Sequence, residues 1–138
     1  MPTPLLEVRN LRVGFQTDAG LLTAVDGVAF ILEAGKTLGV VGESGCGKSV
    51  TAMRLMRLLP QHAGRILSGE VLLEEDILTK LPIDSMRKIR GNDIAMIFQE
   101  PMTALNPVQP VGMQIIEAIQ PHEPTSPAKA LRRAVELM

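Results

Sequence analysis

Eight residues, GESGCGKS from Gly42 to Ser49, constrain this chain more than any other stretch. Glycines at 42, 45 and 47 open backbone conformations that other residues avoid, and Lys48 and Ser49 follow at once with an ammonium and a hydroxyl. The spacing is G-x-x-x-x-G-K-[ST], in which a curled loop turns successive N–H groups inward as a nest for a polyphosphate. The flanks suit that task. KTLGVVG (36–42) is nearly all apolar and predicts a short strand covered on both faces. From Lys48 to Leu59 apolar residues dominate, predicting a helix whose first N–H groups and positive dipole end face the phosphates. Lys48 would then reach the β- and γ-phosphates, and the Ser49 hydroxyl a Mg²⁺ ion. The glycine spacing does not fit G-x-G-x-x-G, which excludes a dinucleotide fingerprint.

The rest of the chain reads as alternating short elements. LLEVRNLRVGF (5–15) and LLTAVDGVAFIL (21–32) predict an antiparallel pair joined through Asp18 and Gly20. In the helix over 48–59, Arg54 and Arg57 would form a narrow polar stripe, and Pro60 would stop the helix at Leu59. GEVLLEEDIL (69–78) predicts a strand with an acidic turn at Glu74 to Asp76, and Pro82 to Gly91 a short helix that Gly91 ends in the left-handed region. DIAMIFQ (93–99) reads as a second buried strand. A proline-rich segment then leads to a helix over 111–120, and another begins with Ser126 as N-cap and Pro127 at its first position.

Composition narrows the function classes. Apolar residues make up 46% of 138, but there is no Trp or Tyr and only three Phe, so the core must be aliphatic and platforms for stacking bases are few. A formal net charge of -1 argues against a nucleic-acid partner. The basic groups Arg87, Lys88, Arg90 and Lys129, Arg132, Arg133 read as solvated helix faces. A single cysteine, Cys46, makes no internal disulfide and fits a reducing compartment, the cytosol. Within the loop it reads as a small filler acting through its backbone. His62 and His122 have no neighbours at metal-ligand spacing and read as surface residues. No apolar run approaches the roughly 18–20 residues that cross a bilayer, and the first ten residues lack a secretory leader pattern.

At VVGESGCGKSVTA (40–52) and MIFQEPMTALNP (96–107) the chain resembles the ATP-binding subunits of ABC importers, in the branch serving oligopeptide, dipeptide, nickel and glutathione uptake. The resemblance runs from the first strand to the last helix. It implies an α/β P-loop NTPase of the ABC ATPase type, partial, with an antiparallel β-subdomain and the start of a helical subdomain. Residues 1–100 would be the partial nucleotide-binding core and 101–138 the exit from the Q-loop into helices. It implies ATP and Mg²⁺ as ligands, with Gly42, Glu43, Ser44, Gly45, Cys46, Gly47, Lys48, Ser49 and Val50 around the phosphates. Gln99 would be the Q-loop glutamine near Mg²⁺, and Phe15 the aromatic stacked on adenine. The implied partners are transmembrane permease subunits, a second ATPase subunit in a homo- or heterodimer, and indirectly an extracytoplasmic solute-binding protein. The implied location is peripheral, on the cytoplasmic face of the membrane.

The departures matter as much. An LSGGQ-type sequence, a Walker B strand with its acids and a switch His do not occur in these 138 residues. The expectation is nucleotide binding with negligible turnover by 1–138 alone, no catalytic residue among them, and an open apolar sheet edge prone to aggregation. Two alternatives stay open: a binding module only, or an ABC ATPase of non-transport duty.

Overall fold

A computed structural model describes residues 4–59, 64–100 and 104–138. They form two compact units, Met1–Pro82 and Ile83–Met138.

In the first unit, strand β1 (Leu6–Thr17) pairs antiparallel with β2 (Gly20–Leu32) on one side and β3 (Arg65–Leu73) on the other, and the short β4 (Asp76–Ile77) closes the sheet in the order β2-β1-β3-β4. Side chains alternate faces along a strand, so Leu6 and Val8 point to the core. Strict alternation would then turn Leu11 outward. Instead β1 bulges: Asn10 adopts φ 45, the pairing register shifts on both flanks, and Leu11 and Val13 return to the buried face. Gly69 on β3 makes room for this. Its φ is 98, and a Cβ there would lie 2.5 Å from the Asn10 carbonyl oxygen and 2.6 Å from that of Arg9. The core so assembled is aliphatic: Val8, Leu11, Val13, Val71 and Leu78 are fully buried, each contributing about 1.5–3 kcal/mol. The turn after β2's partner is as expected, with Gly20 at φ 117, and Glu74 at φ 53 turns β3 into β4.

Helix α1 (Lys48–Leu55) begins at the predicted residue but ends four positions before Leu59. Proline does not stop it; Pro60 lies outside the described residues. The helix closes in a Schellman motif: Arg57, in the left-handed region at φ 53, donates its N–H to the Arg54 carbonyl (3.0 Å), and Leu58 donates to the Met53 carbonyl (2.9 Å). The expected polar stripe also fails. Arg54 is only 7% exposed, donates to the Leu59 carbonyl at 3.2 Å and leaves its Nε without a partner among the described residues. Burial, and secondarily the Arg57 charge, lowers its pKa from the ordinary arginine value.

The second unit holds α2 (Ile83–Ile89), α3 (Val111–Ile119) and α4 (Pro127–Leu137). Asp84 sits in the first turn of α2 and Arg87 and Lys88 in its last, matching the helix dipole. Gly91 follows at φ 82, as expected, beside a half-buried His122. His62 lies outside the described residues. Gln114 of α3 accepts from the Asn106 N–H (2.9 Å) and donates to the carbonyls of Asn106 (2.9 Å) and Gln109 (3.0 Å), sewing the proline-rich approach to the helix. Ala130 and Ala134 are fully buried where α4 packs on α3. Pro127 opens α4 as predicted, although the Ser126 hydroxyl makes no cap hydrogen bond. No helix among the described residues is long and apolar enough to cross a membrane.

Two expected strands are not there. Residues 37–43 and 95–98 have no strand pairing, apart from a single Arg90–Ile94 bridge before the second. Nor are they buried: Val41 is 93% exposed and Ile97 97%. A strand exists through its neighbour's hydrogen bonds, and among the described residues neither segment has one.

Candidate functional site: the loop before helix α1

The loop from Gly42 to Gly47 is shaped by two left-handed glycines, Gly45 at φ 82 and Gly47 at φ 92. Its internal turn is closed by the Cys46 N–H on the Glu43 carbonyl at 3.3 Å. A Cβ on Gly42 would lie 2.6 Å from the Cys46 sulfur, so the small residue lets Cys46 fold back, while a Cβ on Gly45 would meet open space. Gly45 is required by its backbone, Gly42 by its neighbour.

Gly47 is the N-cap of α1 and is fixed from three sides. A Cβ there would lie 2.5 Å from the carbonyl oxygen of Ala24 and 3.4 Å from Val25 Cγ2, both on β2. Its own carbonyl receives the Thr51 N–H (2.8 Å) and the Thr51 hydroxyl (2.9 Å), and Thr51 is buried. Sequence reasoning missed Ala24, Val25 and Thr51; the one available signal was a β-branched hydroxyl one turn after the glycine.

The loop therefore presents donors. Gly47 has no side chain to cap α1, and among the described residues no protein acceptor takes the N–H of Gly45, Gly47, Lys48, Ser49 or Val50. The Lys48 ammonium folds over the same loop, donating to the carbonyls of Gly42 (2.6 Å) and Glu43 (2.7 Å) and lying 3.5 Å from the Cys46 sulfur. Ser49 is exposed and its hydroxyl has no partner among the described residues. Glu43, Ser44 and Cys46 are exposed too. Unpaired N–H groups, a helix dipole and an ammonium at one mouth form a cradle that fits a polyphosphate. Mg²⁺ fits as well, because it takes one or two protein oxygens and fills its shell from phosphate and water, and Ser49 offers such an oxygen.

Phe15 lies half-buried on β1 opposite Leu22, with its ring against Gly64, where a Cβ would lie 3.1 Å from Cε1. Two residues before it, Val13 pairs with Val25, the residue beneath Gly47. The sheet thus places Phe15 and the loop on neighbouring positions of one frame. Gln99 is exposed and belongs to the second unit.

Comparison with known proteins shows the family and the fold. A family model described as "ABC transporter" matches residues 25–136. The probable peptide ABC transporter ATP-binding protein y4tR of Sinorhizobium fredii is 48% identical over 97% of this chain and 40% of its own length. The oligopeptide transport ATP-binding protein OppD of Bacillus subtilis is 48% identical over 99% of this chain and 38% of its own. The chain spans about two fifths of the length of these curated relatives. Among solved structures, the dimeric structure of the bacterial ABC transporter cassette MJ0796 superposes with a TM-score of 0.78 at 22% identity, covering 95% of this chain and 54% of that one. That likeness is one of fold.

Proposed function

The chain belongs to the ABC transporter family, and on that premise we propose that it serves as the ATP-binding subunit of an importer for peptides or related small solutes. Mg-ATP binds at Gly42 to Val50. The N–H groups of the loop and first helical turn hold the phosphates, Lys48 balances β/γ charge, and Ser49, with Gln99, serves Mg²⁺. Phe15 stacks on adenine. Residues 1–100 act as the nucleotide core with its β-subdomain, and 101–138 open the helical subdomain. The partners are permease subunits, a second ATPase subunit and, indirectly, a solute-binding protein, with the ATPase peripheral on the cytoplasmic face of the membrane.

The observation that supports this reading most is the set of five backbone donors that have no acceptor among the described residues, beside the Lys48 ammonium. Phosphoryl transfer asks a protein mainly for positioning and charge stabilisation, and this loop supplies the phosphate-holding share of that work. Residues 1–138 by themselves bind nucleotide without sustained turnover.

Cys46 provides the test, because it sits exposed inside the cradle. Mg-ATP should slow its alkylation and move the amide signals of 42–50. Equal labelling with and without nucleotide, or steady-state phosphate release by 1–138 that Lys48→Ala abolishes, would each count against the respective half of the reading.

A further inference from the structure

Arg57 carries an unusual combination. It occupies the left-handed C′ position of α1, at φ 53, where glycine is the easy choice. It also sends its guanidinium across to the turn after β4, where Nη1 donates to the carbonyls of Leu78 and Leu81. Both of these acceptors are backbone oxygens.

That turn is not loose. Leu78 is fully buried and its N–H donates to the Val71 carbonyl on β3 at 2.8 Å, while Lys80 N–H closes on Ile77 at 3.0 Å. Helix α1 is therefore held on the antiparallel sheet at both ends. At the N-terminal end Gly47 rests on Ala24 and Val25 of β2; at the C-terminal end Arg57 grips the turn anchored to β3. A glycine at position 57 would end the helix equally well but could not make the second attachment. We propose that Arg57 is a positioning residue for nucleotide: its side chain sets the lie of α1, and so the aim of the phosphate-binding N–H groups at the helix's opposite end. This rests on the nucleotide-binding reading of the loop.

The test uses the full chain as wild type, Arg57→Gly and Arg57→Lys, with two readouts: amide hydrogen exchange over 51–55, where the N–H groups are hydrogen-bonded, without nucleotide, and equilibrium binding of Mg-ATP. Arg57→Gly suits the left-handed backbone and removes the side-chain strut. It should speed exchange over 51–55 about tenfold and weaken Mg-ATP binding roughly three- to tenfold, a part of what a lost charged hydrogen bond is worth, because the strut acts at the far end of the helix. Arg57→Lys should recover part of both, since one ammonium can still reach a carbonyl. Exchange and binding equal to wild type in Arg57→Gly would overturn the proposal, leaving Arg57 a backbone stop only. If Arg57→Gly does not fold, Arg57→Asn, which tolerates the left-handed backbone but is too short to reach the Leu78 and Leu81 carbonyls, replaces it, and wild-type exchange and binding there overturn the proposal. If wild type fails to bind Mg-ATP, the functional reading falls while the exchange arm still decides the strut.

Discussion

The carbonyl oxygen of Ala24 lies 2.5 Å from the point where a Cβ on Gly47 would stand, so β2 and the start of α1 meet with no space for a side chain. Gly47→Ala would add that clash to a left-handed backbone at φ 92. The expected cost is about 1–3 kcal/mol in stability, with loss of Mg-ATP binding because the loop must lift off the strand. Urea unfolding and a nucleotide titration of the variant check this; an unchanged midpoint refutes it.

Lys48 tests the site without disturbing the core. Among the described residues its ammonium bonds only to the carbonyls of Gly42 and Glu43 and to the Cys46 sulfur. Lys48→Ala should shift the melting temperature little, yet weaken Mg-ATP binding by at least about tenfold, one charge-assisted hydrogen bond's worth. Calorimetric titration beside a thermal melt separates the two effects.

Gly69 tests the bulge. A methyl there would press on the carbonyls of Asn10 and Arg9 and on Leu11 Cα at 2.5–2.6 Å, in a backbone at φ 98. Gly69→Ala should destabilise the sheet by about 2–4 kcal/mol, more than an ordinary surface substitution. A denaturant midpoint within error of wild type would show that the bulge is dispensable.

Acid should loosen the outer face of the same sheet. The hydrogen bond from Arg9 lowers the Glu7 pKa, with its charge as a lesser cause, and the hydrogen bond and charge of Lys80 lower that of Glu70. Folded values below the unfolded 4.5 mean that the folded state binds fewer protons, so this contribution is present above pH 4.5 and is lost as pH falls through the depressed values. Both pairs are solvent-facing, so the effect is small and fades in salt. Glu70→Gln should flatten the stability–pH curve below pH 4.5; a curve parallel to wild type refutes the assignment.

Much of this architecture is legible in the residues, and the misses share a cause. Alternation from Leu6 and the turn at Asp18 to Gly20 mark the β1–β2 pair, and Pro127 marks the start of α4. The adjacent polar pair Arg9–Asn10 is the visible trace of the bulge, because it interrupts the period of two between Val8 and Leu11. The runs 36–42 and 93–99 show where periodicity stops: it reports which side chains are apolar, not whether a neighbouring strand is there to take the hydrogen bonds. Arg57 and Arg54 show a second limit. A positive charge on a helix reads as solvated, but a guanidinium can be buried or turned inward when carbonyls from a distant turn receive it. In the candidate site, the glycines, lysine and serine follow from spacing. The backing from Ala24 and Val25 depends on a long-range contact that no local pattern encodes, whereas Thr51, one turn after Gly47, is a local trace.

The uncapped first turn of α1 also governs how this protein should be handled at the bench. Five N–H groups without acceptors among the described residues, beside an ammonium, do not distinguish a nucleotide's tail from any tetrahedral oxyanion of suitable size. Sulfate or phosphate in a purification or crystallisation buffer will therefore compete for the loop, blunting titrations and shielding Cys46, whereas chloride or acetate buffers leave its true affinity measurable.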